Sequence, residues 1–126
     1  MVLEKALPKQ RGVTLIELMI VIVILAVIAS FAYPSYMGYV VDTKRTAATS
    51  ILLQVADRQQ QFFMDNKRFA NDLTNLGFAA NPLVIADDGQ PTAGGDSTYS
   101  VALSNVTATT YTITAAPLNG QAARDT

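Results

Sequence analysis

The chain contains no histidine and no cysteine. The usual ligands of zinc and iron–sulfur centres are therefore missing, and so is the commonest general base of enzymes. The lack of cysteine says little about compartment, because exported domains need not carry disulfides. Charge is also sparse: 15% of residues are charged, and the net charge is −1. From Ser35 onward six Lys or Arg stand against eight Asp. That part is slightly acidic, whereas a nucleic-acid partner usually calls for a basic face, so nucleic acid is disfavoured. No nucleophile–base pair, phosphate-binding glycine loop or metal cluster is visible. An enzyme is not expected, nor are cofactors.

What the chain does have is unevenly placed. Its 126 residues fit one compact domain plus a short appendage. Met1–Gly12 is polar and basic, with Lys5, Lys9 and Arg11. Val13–Tyr33 is a 21-residue run broken only by Thr14, Glu17 and Ser30, and Pro34 follows it. As an α-helix this run is about 32 Å long, enough to cross a hydrocarbon core of about 30 Å. It exceeds the roughly 7–15 residues of a signal-peptide core, and Ala29-Ser30-Phe31-Ala32 is a weak cleavage site. Basic residues before the run place the leader in the cytoplasm and the bulk of the chain across the membrane.

Glu17 is the odd residue in the run. A carboxylate at mid-span costs roughly 2.5–3.5 kcal/mol on insertion scales, and less near an end. One reading has it snorkel at the interface. The other gives it a cationic partner. If the chain is cut after Gly12, Val13 becomes an N-terminus whose ammonium lies about one helical turn from Glu17. The same ammonium on a neighbouring helix would serve as well.

The segment Arg11-Gly12-Val13-Thr14-Leu15-Ile16-Glu17-Leu18-Met19-Ile20-Val21 resembles the processing site of type IV prepilins and pseudopilins. The resemblance implies cleavage after Gly12 by a prepilin peptidase that also N-methylates the new first residue, Val13. That residue departs from the usual Phe. Glu17 matches the family's glutamate at the fifth mature position, and Pro34 its helix-kinking proline. Tyr33-Pro34-Ser35-Tyr36, Gln59-Gln60-Gln61-Phe62-Phe63, Arg68-Phe69-Ala70-Asn71-Asp72-Leu73 and Leu76-Gly77 look like the PilE-type pilins of Gram-negative bacteria. They tilt the reading towards a minor pilin.

From Ser35 to about Met64, Val40, Ala47, Ala48, Ile51, Leu52, Val55, Ala56, Phe62 and Phe63 recur at helical spacing and form one apolar stripe. One long helix is expected, with a membrane half and an amphipathic half. Pro34 removes a backbone hydrogen bond and is expected to kink it, and Gly38 loosens the same region. Phe62, Phe63 and Phe69 read as core. Asn66 to about Thr98 reads as loop, with Asp87-Asp88-Gly89 and Gly94-Gly95-Asp96 as turns rather than a calcium loop. Tyr99–Leu103 and Tyr111–Ala115 alternate as two strands joined around Ser104–Thr107. After Pro117 the chain turns polar. The family resemblance implies further strands and a Cys pair here, and this chain shows neither. The C-terminal part of the sheet is therefore expected to be incomplete, with a thin core as the result.

The expected fold is α+β: a long kinked helix packed on a small antiparallel sheet. Three parts follow: a leader over 1–12, a membrane and filament-core helix over 13–34, and an amphipathic helix with a small β domain over 35–126. The resemblance implies a structural subunit of a type IV pilus, serving adhesion, twitching motility or DNA uptake. Its partners would be other pilin subunits, the prepilin peptidase/N-methyltransferase and the inner-membrane assembly machinery. It would sit in the inner membrane first and in an extracellular pilus afterwards. Three alternatives stand beside this: a pseudopilin of a type II secretion system, a bitopic anchor presenting a binding domain, and a DNA-binding uptake pilin. For the last, Lys67-Arg68 is a small basic spot, which a solvated loop also explains.

Overall fold

The computed structural model describes residues 11–125. Lys5, Lys9 and most of the expected leader lie outside the described residues. The chain divides into two compact units, one ending at Tyr36 and the other beginning at Met37.

Helix α1 runs unbroken from Leu15 to Asn66. Its start is set by a reciprocal pair: Thr14 N–H donates to Glu17 Oε2 at 3.0 Å, and Glu17 N–H donates to Thr14 Oγ1 at 3.3 Å. This is a capping box, which satisfies two backbone donors that a helix start leaves open. Helix continues through Pro34. Proline has no N–H to give the Ser30 carbonyl, so one rung of the ladder is lost there. At the other end Lys67 takes a left-handed conformation, φ 56°, and ends the helix.

In the second unit, α1 buries Ala48, Ile51, Val55 and Gln59. These positions follow the period of the apolar stripe, and Leu52 and Phe62 pack beside them. Phe63 stacks on Phe69, and Phe69 meets Tyr111, each with ring centroids 4.7 Å apart.

The sheet has three strands, not two. Strands β1 (Leu83–Ile85), β2 (Tyr99–Ser104) and β3 (Thr112–Pro117) form an antiparallel sheet in the order β1-β2-β3. Strand β1 and a 3-10 turn at Leu73–Leu76 lie inside the stretch expected to be loop. At three residues, β1 is too short to show alternation. Its two buried side chains, Leu83 and Ile85, read as isolated apolar residues until β2 is placed beside them. The 3-10 turn starts at Asp72, whose carboxylate accepts from Thr74 N–H, and closes on Gly77 at φ 84°. The β2–β3 connection runs from Asn105 to Tyr111, longer than the turn expected at Ser104–Thr107.

Leu73 and Leu76 from the turn, Leu83 and Ile85 from β1, and Tyr99 and Val101 from β2 close over the helix stripe. Each such aliphatic side chain contributes about 1.5–3 kcal/mol on full burial. The core is therefore thicker than two strands could make it. Asp87-Asp88-Gly89 is a turn: Gly89 N–H donates to Ala86 O at 3.0 Å, and Asp88 accepts from Gln90 N–H. Gly89 has φ 79°, and a Cβ there would sit 3.4 Å from Ala47 Cβ. The left-handed φ is what favours glycine here, since a Cβ would make ordinary contact with the helix.

Candidate functional site at the head of the apolar helix

Arg11 to Thr14 precede the first turn of α1 outside regular structure, and their side chains are exposed. A Cβ built on Gly12 meets nothing within 4 Å. The fold itself therefore does not require glycine at this position. Val13 follows, 75% exposed. Glu17 stands one turn further on with one carboxylate oxygen on Thr14 N–H. In this uncleaved chain the carboxylate is thus a cap. The T-x-x-E spacing that forms it is a sequence signature of helix starts, and it gives Glu17 a partner that is neither the interface nor a freed ammonium. The cap uses Oε2 and leaves Oε1 free of hydrogen bonds among the described residues.

From Leu15 to Phe31 the large apolar side chains are all at least half exposed. An 18-residue window of α1 reaches a mean hydropathy of 2.9 with none of it buried. A continuous apolar surface of this length marks a membrane or protein contact. Gly38 has nothing within 4 Å of a built Cβ and lies on the exposed helix surface, as does Pro34. Gly12 and Val13 therefore lie just ahead of α1 and Glu17 in its first turn, whereas Pro34 and Gly38 lie well along the helix.

Two further polar clusters lie in the second unit. Gln59, fully buried, bonds both backbone groups of Ala70: it donates to Ala70 O and accepts from Ala70 N–H, each at 2.9 Å. Its place on the apolar stripe, four residues after Val55, is the signal that a polar side chain here must find a partner. The other cluster centres on Asp125, which accepts from Arg45 Nε with one oxygen and from the Tyr99 hydroxyl with the other. Gln121 donates to the Tyr99 oxygen at 3.1 Å. The Tyr99 hydroxyl bond, followed by Arg45 and Gln121, lowers the Asp125 pKa against the opposing effect of desolvation. The Asp125 bond raises Arg45 in turn. Burial, then the bond to Asp125, raises Tyr99. Nothing in the local sequence around Asp125 signals this contact, because its partners are far away along the chain.

Lys44 Nζ reaches Asp87 at 3.1 Å. Asp87 is lowered first by the Thr98 hydroxyl bond and then by Lys44. Arg58 lies 4.3 Å over the Phe78 ring and donates to Leu76 O at 3.0 Å. Lys67 and Arg68 enter no ion pair among the described residues.

An exposed apolar helix headed by a glycine–valine bond and a capped glutamate, continuing into a small α+β unit, is the architecture of a pilin-like subunit. Comparison with known proteins agrees. Residues 7–33 match the prokaryotic N-terminal methylation motif. Residues 34–126 match the family described as type IV minor pilin ComP, DNA uptake sequence receptor. The chain belongs to this type IV minor pilin family. It is 35% identical over 72 residues to the type IV major pilin protein PilA of Myxococcus xanthus (strain DK1622), covering 57% of this chain and 33% of that protein. It is 38% identical over 85 residues to type II secretion system core protein G of Klebsiella pneumoniae, covering 68% and 58%. To the type IV major fimbrial protein FimA of Dichelobacter nodosus it is 33% identical over 89 residues, covering 71% and 54%. The chain thus spans about a third to three fifths of the length of these relatives. No solved structure matches it.

Proposed function

We propose that the chain is a minor structural subunit of a type IV pilus, made as a membrane-anchored precursor and drawn into a filament after cleavage. The observation that carries this is the head of α1: a carboxylate four residues beyond Val13, on a helix whose large apolar side chains from Leu15 to Phe31 are exposed, with no covering partner among the described residues. Residues 1–12 act as the leader that the prepilin peptidase removes. Residues 13–34 hold the subunit in the inner membrane and then pack among other pilin helices. Residues 35–126 remain outside as the folded part. Cleavage frees a Val13 ammonium, the site of N-methylation. Glu17 pairs with that ammonium, within the chain or on a neighbouring helix, through the oxygen that the cap leaves open. A buried charge that must meet its partner admits few alignments and so gives register. The lost hydrogen bond at Pro34, with Gly38 beside it, lets the helix bend as the subunit leaves the bilayer.

The test is filament incorporation of Glu17→Ala and Glu17→Gln in cells making the other pilins. Both variants are expected to insert and be cleaved. Glu17→Gln keeps a cap acceptor and loses only the charge, so poor incorporation of both assigns register to the carboxylate. Normal incorporation of Glu17→Gln would overturn the ion-pair role.

Two other readings have support. The likeness to core protein G of type II secretion favours a pseudopilin. Sheared surface fibres containing the chain favour the pilus, and loss of protein secretion on deletion favours the rival. The family's description as a DNA uptake sequence receptor favours DNA contact, against the slightly acidic composition from Ser35 onward. Lys67 and Arg68 are the adjacent cations available for phosphates. On that reading Lys67→Ala with Arg68→Ala lowers duplex DNA retention and flattens its salt dependence by about two charges' worth of slope.

A further inference from the structure

Between Met1 and Ala32 there is no tyrosine, and Tyr33 and Tyr36 then follow three residues apart. Residues at this spacing share one face of a helix. Both side chains are exposed, at 66% and 63%.

The depth of the two rings follows from the other end of α1. Glu17 turns its carboxylate back onto Thr14 N–H, so the charge sits at the level of Thr14 and the apolar surface begins at Leu15. At 1.5 Å per residue, Tyr33 is about 27 Å and Tyr36 about 32 Å beyond Leu15. A hydrocarbon core of about 30 Å that starts at Leu15 therefore ends between them. The other polar side chains near this level are satisfied within the helix. Ser30 Oγ donates to Val27 O at 2.7 Å, and Ser35 Oγ to Phe31 O at 3.4 Å. The first charge after Glu17 is Asp42, about 40 Å from Leu15 and well outside such a core. Charge cannot set this boundary, which leaves the tyrosines. A tyrosine is most stable in that layer, with its ring at the edge of the acyl chains and its hydroxyl among the headgroups.

We propose that Tyr33 and Tyr36 bind the headgroup layer of a phospholipid bilayer and fix how deeply the anchored subunit sits. The rival occupant is the helix of a second copy. From Leu15 to Ala32 that helix carries only Glu17 and Ser30 as side chains able to accept a hydrogen bond. Lipid ester and phosphate oxygens supply acceptors all around the helix at this level. The role rests on the chain being a membrane-anchored precursor, and it gives that precursor a defined depth.

The chain has no cysteine, so a single introduced thiol reports depth. The full chain carrying Ile24→Cys, Ala32→Cys or Gly38→Cys is placed in nanodiscs of phosphatidylethanolamine and phosphatidylglycerol and treated with a charged maleimide. All three positions are exposed, and a Cβ on Gly38 meets nothing within 4 Å. Ile24→Cys and Ala32→Cys should be protected and Gly38→Cys labelled, each relative to the same variant denatured in dodecyl sulfate. Tyr33→Leu with Tyr36→Leu lengthens the apolar stretch, which a helix accommodates by tilting or sliding. Gly38→Cys should then lose its labelling, whereas Tyr33→Trp with Tyr36→Trp should keep it. Labelling of Ala32→Cys as fast as Gly38→Cys, or labelling of Gly38→Cys that the leucines leave unchanged, overturns the anchor. So does a profile that appears only with several copies per disc, which assigns the rings to a neighbouring chain. Free labelling of Ile24→Cys as well would overturn the membrane span itself, so the two failures are told apart.

Discussion

Replacing Gln59 by leucine isolates the energetics of one buried polar contact. The side-chain amide makes two bonds of 2.9 Å to Ala70, one to its carbonyl and one from its N–H. Gln59 is 0% and Ala70 1% exposed, so water does not reach the groups left behind. Each stranded buried group costs about 1–3 kcal/mol, so the pair costs about 2–6 kcal/mol. Leucine fills nearly the same volume and recovers part of this, leaving a net loss of about 3 kcal/mol. For a folded unit of this size that is a fall in Tm of roughly 12–24 °C. The assay is thermal unfolding of the full chain in detergent, followed by near-UV circular dichroism of the tyrosines in the folded unit. Hydrogen exchange at the Ala70 amide gives a residue-level reading, and it should be slow in the natural chain and fast in the variant. Gln59→Glu keeps the acceptor for Ala70 N–H but at neutral pH has no donor for Ala70 O, so it should also be destabilised. A Tm within about 2 °C of the natural protein for Gln59→Leu would refute the reasoning, because the orphaned groups would then cost almost nothing.

Gly12→Leu should leave the chain uncleaved, seen as an unshifted precursor on a gel. Because the fold leaves room for a side chain there, any block reports on the peptidase and not on misfolding. The folded-state pKa of Asp125 is depressed. Its contribution is thus fully present above the unfolded carboxylate value of about 3.9 and is lost as pH falls through the folded value. Tm should therefore drop more steeply below about pH 4 in the natural chain than in Asp125→Asn. Asp87, also depressed, adds an acid loss of the same sign that Asp87→Asn should remove. Gly89→Val forces a branched side chain into a left-handed φ against Ala47. It should cost about 1–3 kcal/mol in denaturant melts.

Most of α1 was legible along the chain. The apolar run, the charge-free stretch and the stripe through Ala48, Ile51 and Val55 are periodic, and periodicity is a local property. The same holds for β2 and β3, where side chains alternate over enough residues to show a face. Strand β1 was not legible, because three residues carry no period and Leu83 and Ile85 become core only when β2 lies beside them. Glu17 shows both sides of this limit. Its offset from Gly12 points to a charge partner, while its spacing from Thr14 encodes a shorter-range cap.

The sequence by itself determined the parts whose cause is local: a membrane-length helix with its start signal, an amphipathic continuation, two strands, and a processing motif. Only the tertiary structure decided which polar residues are committed. Gln59 is tied to Ala70, eleven residues away, and Asp125 to Arg45, eighty residues away. No pattern along the chain encodes such pairs, since each side chain finds its partner only after the apolar faces have packed.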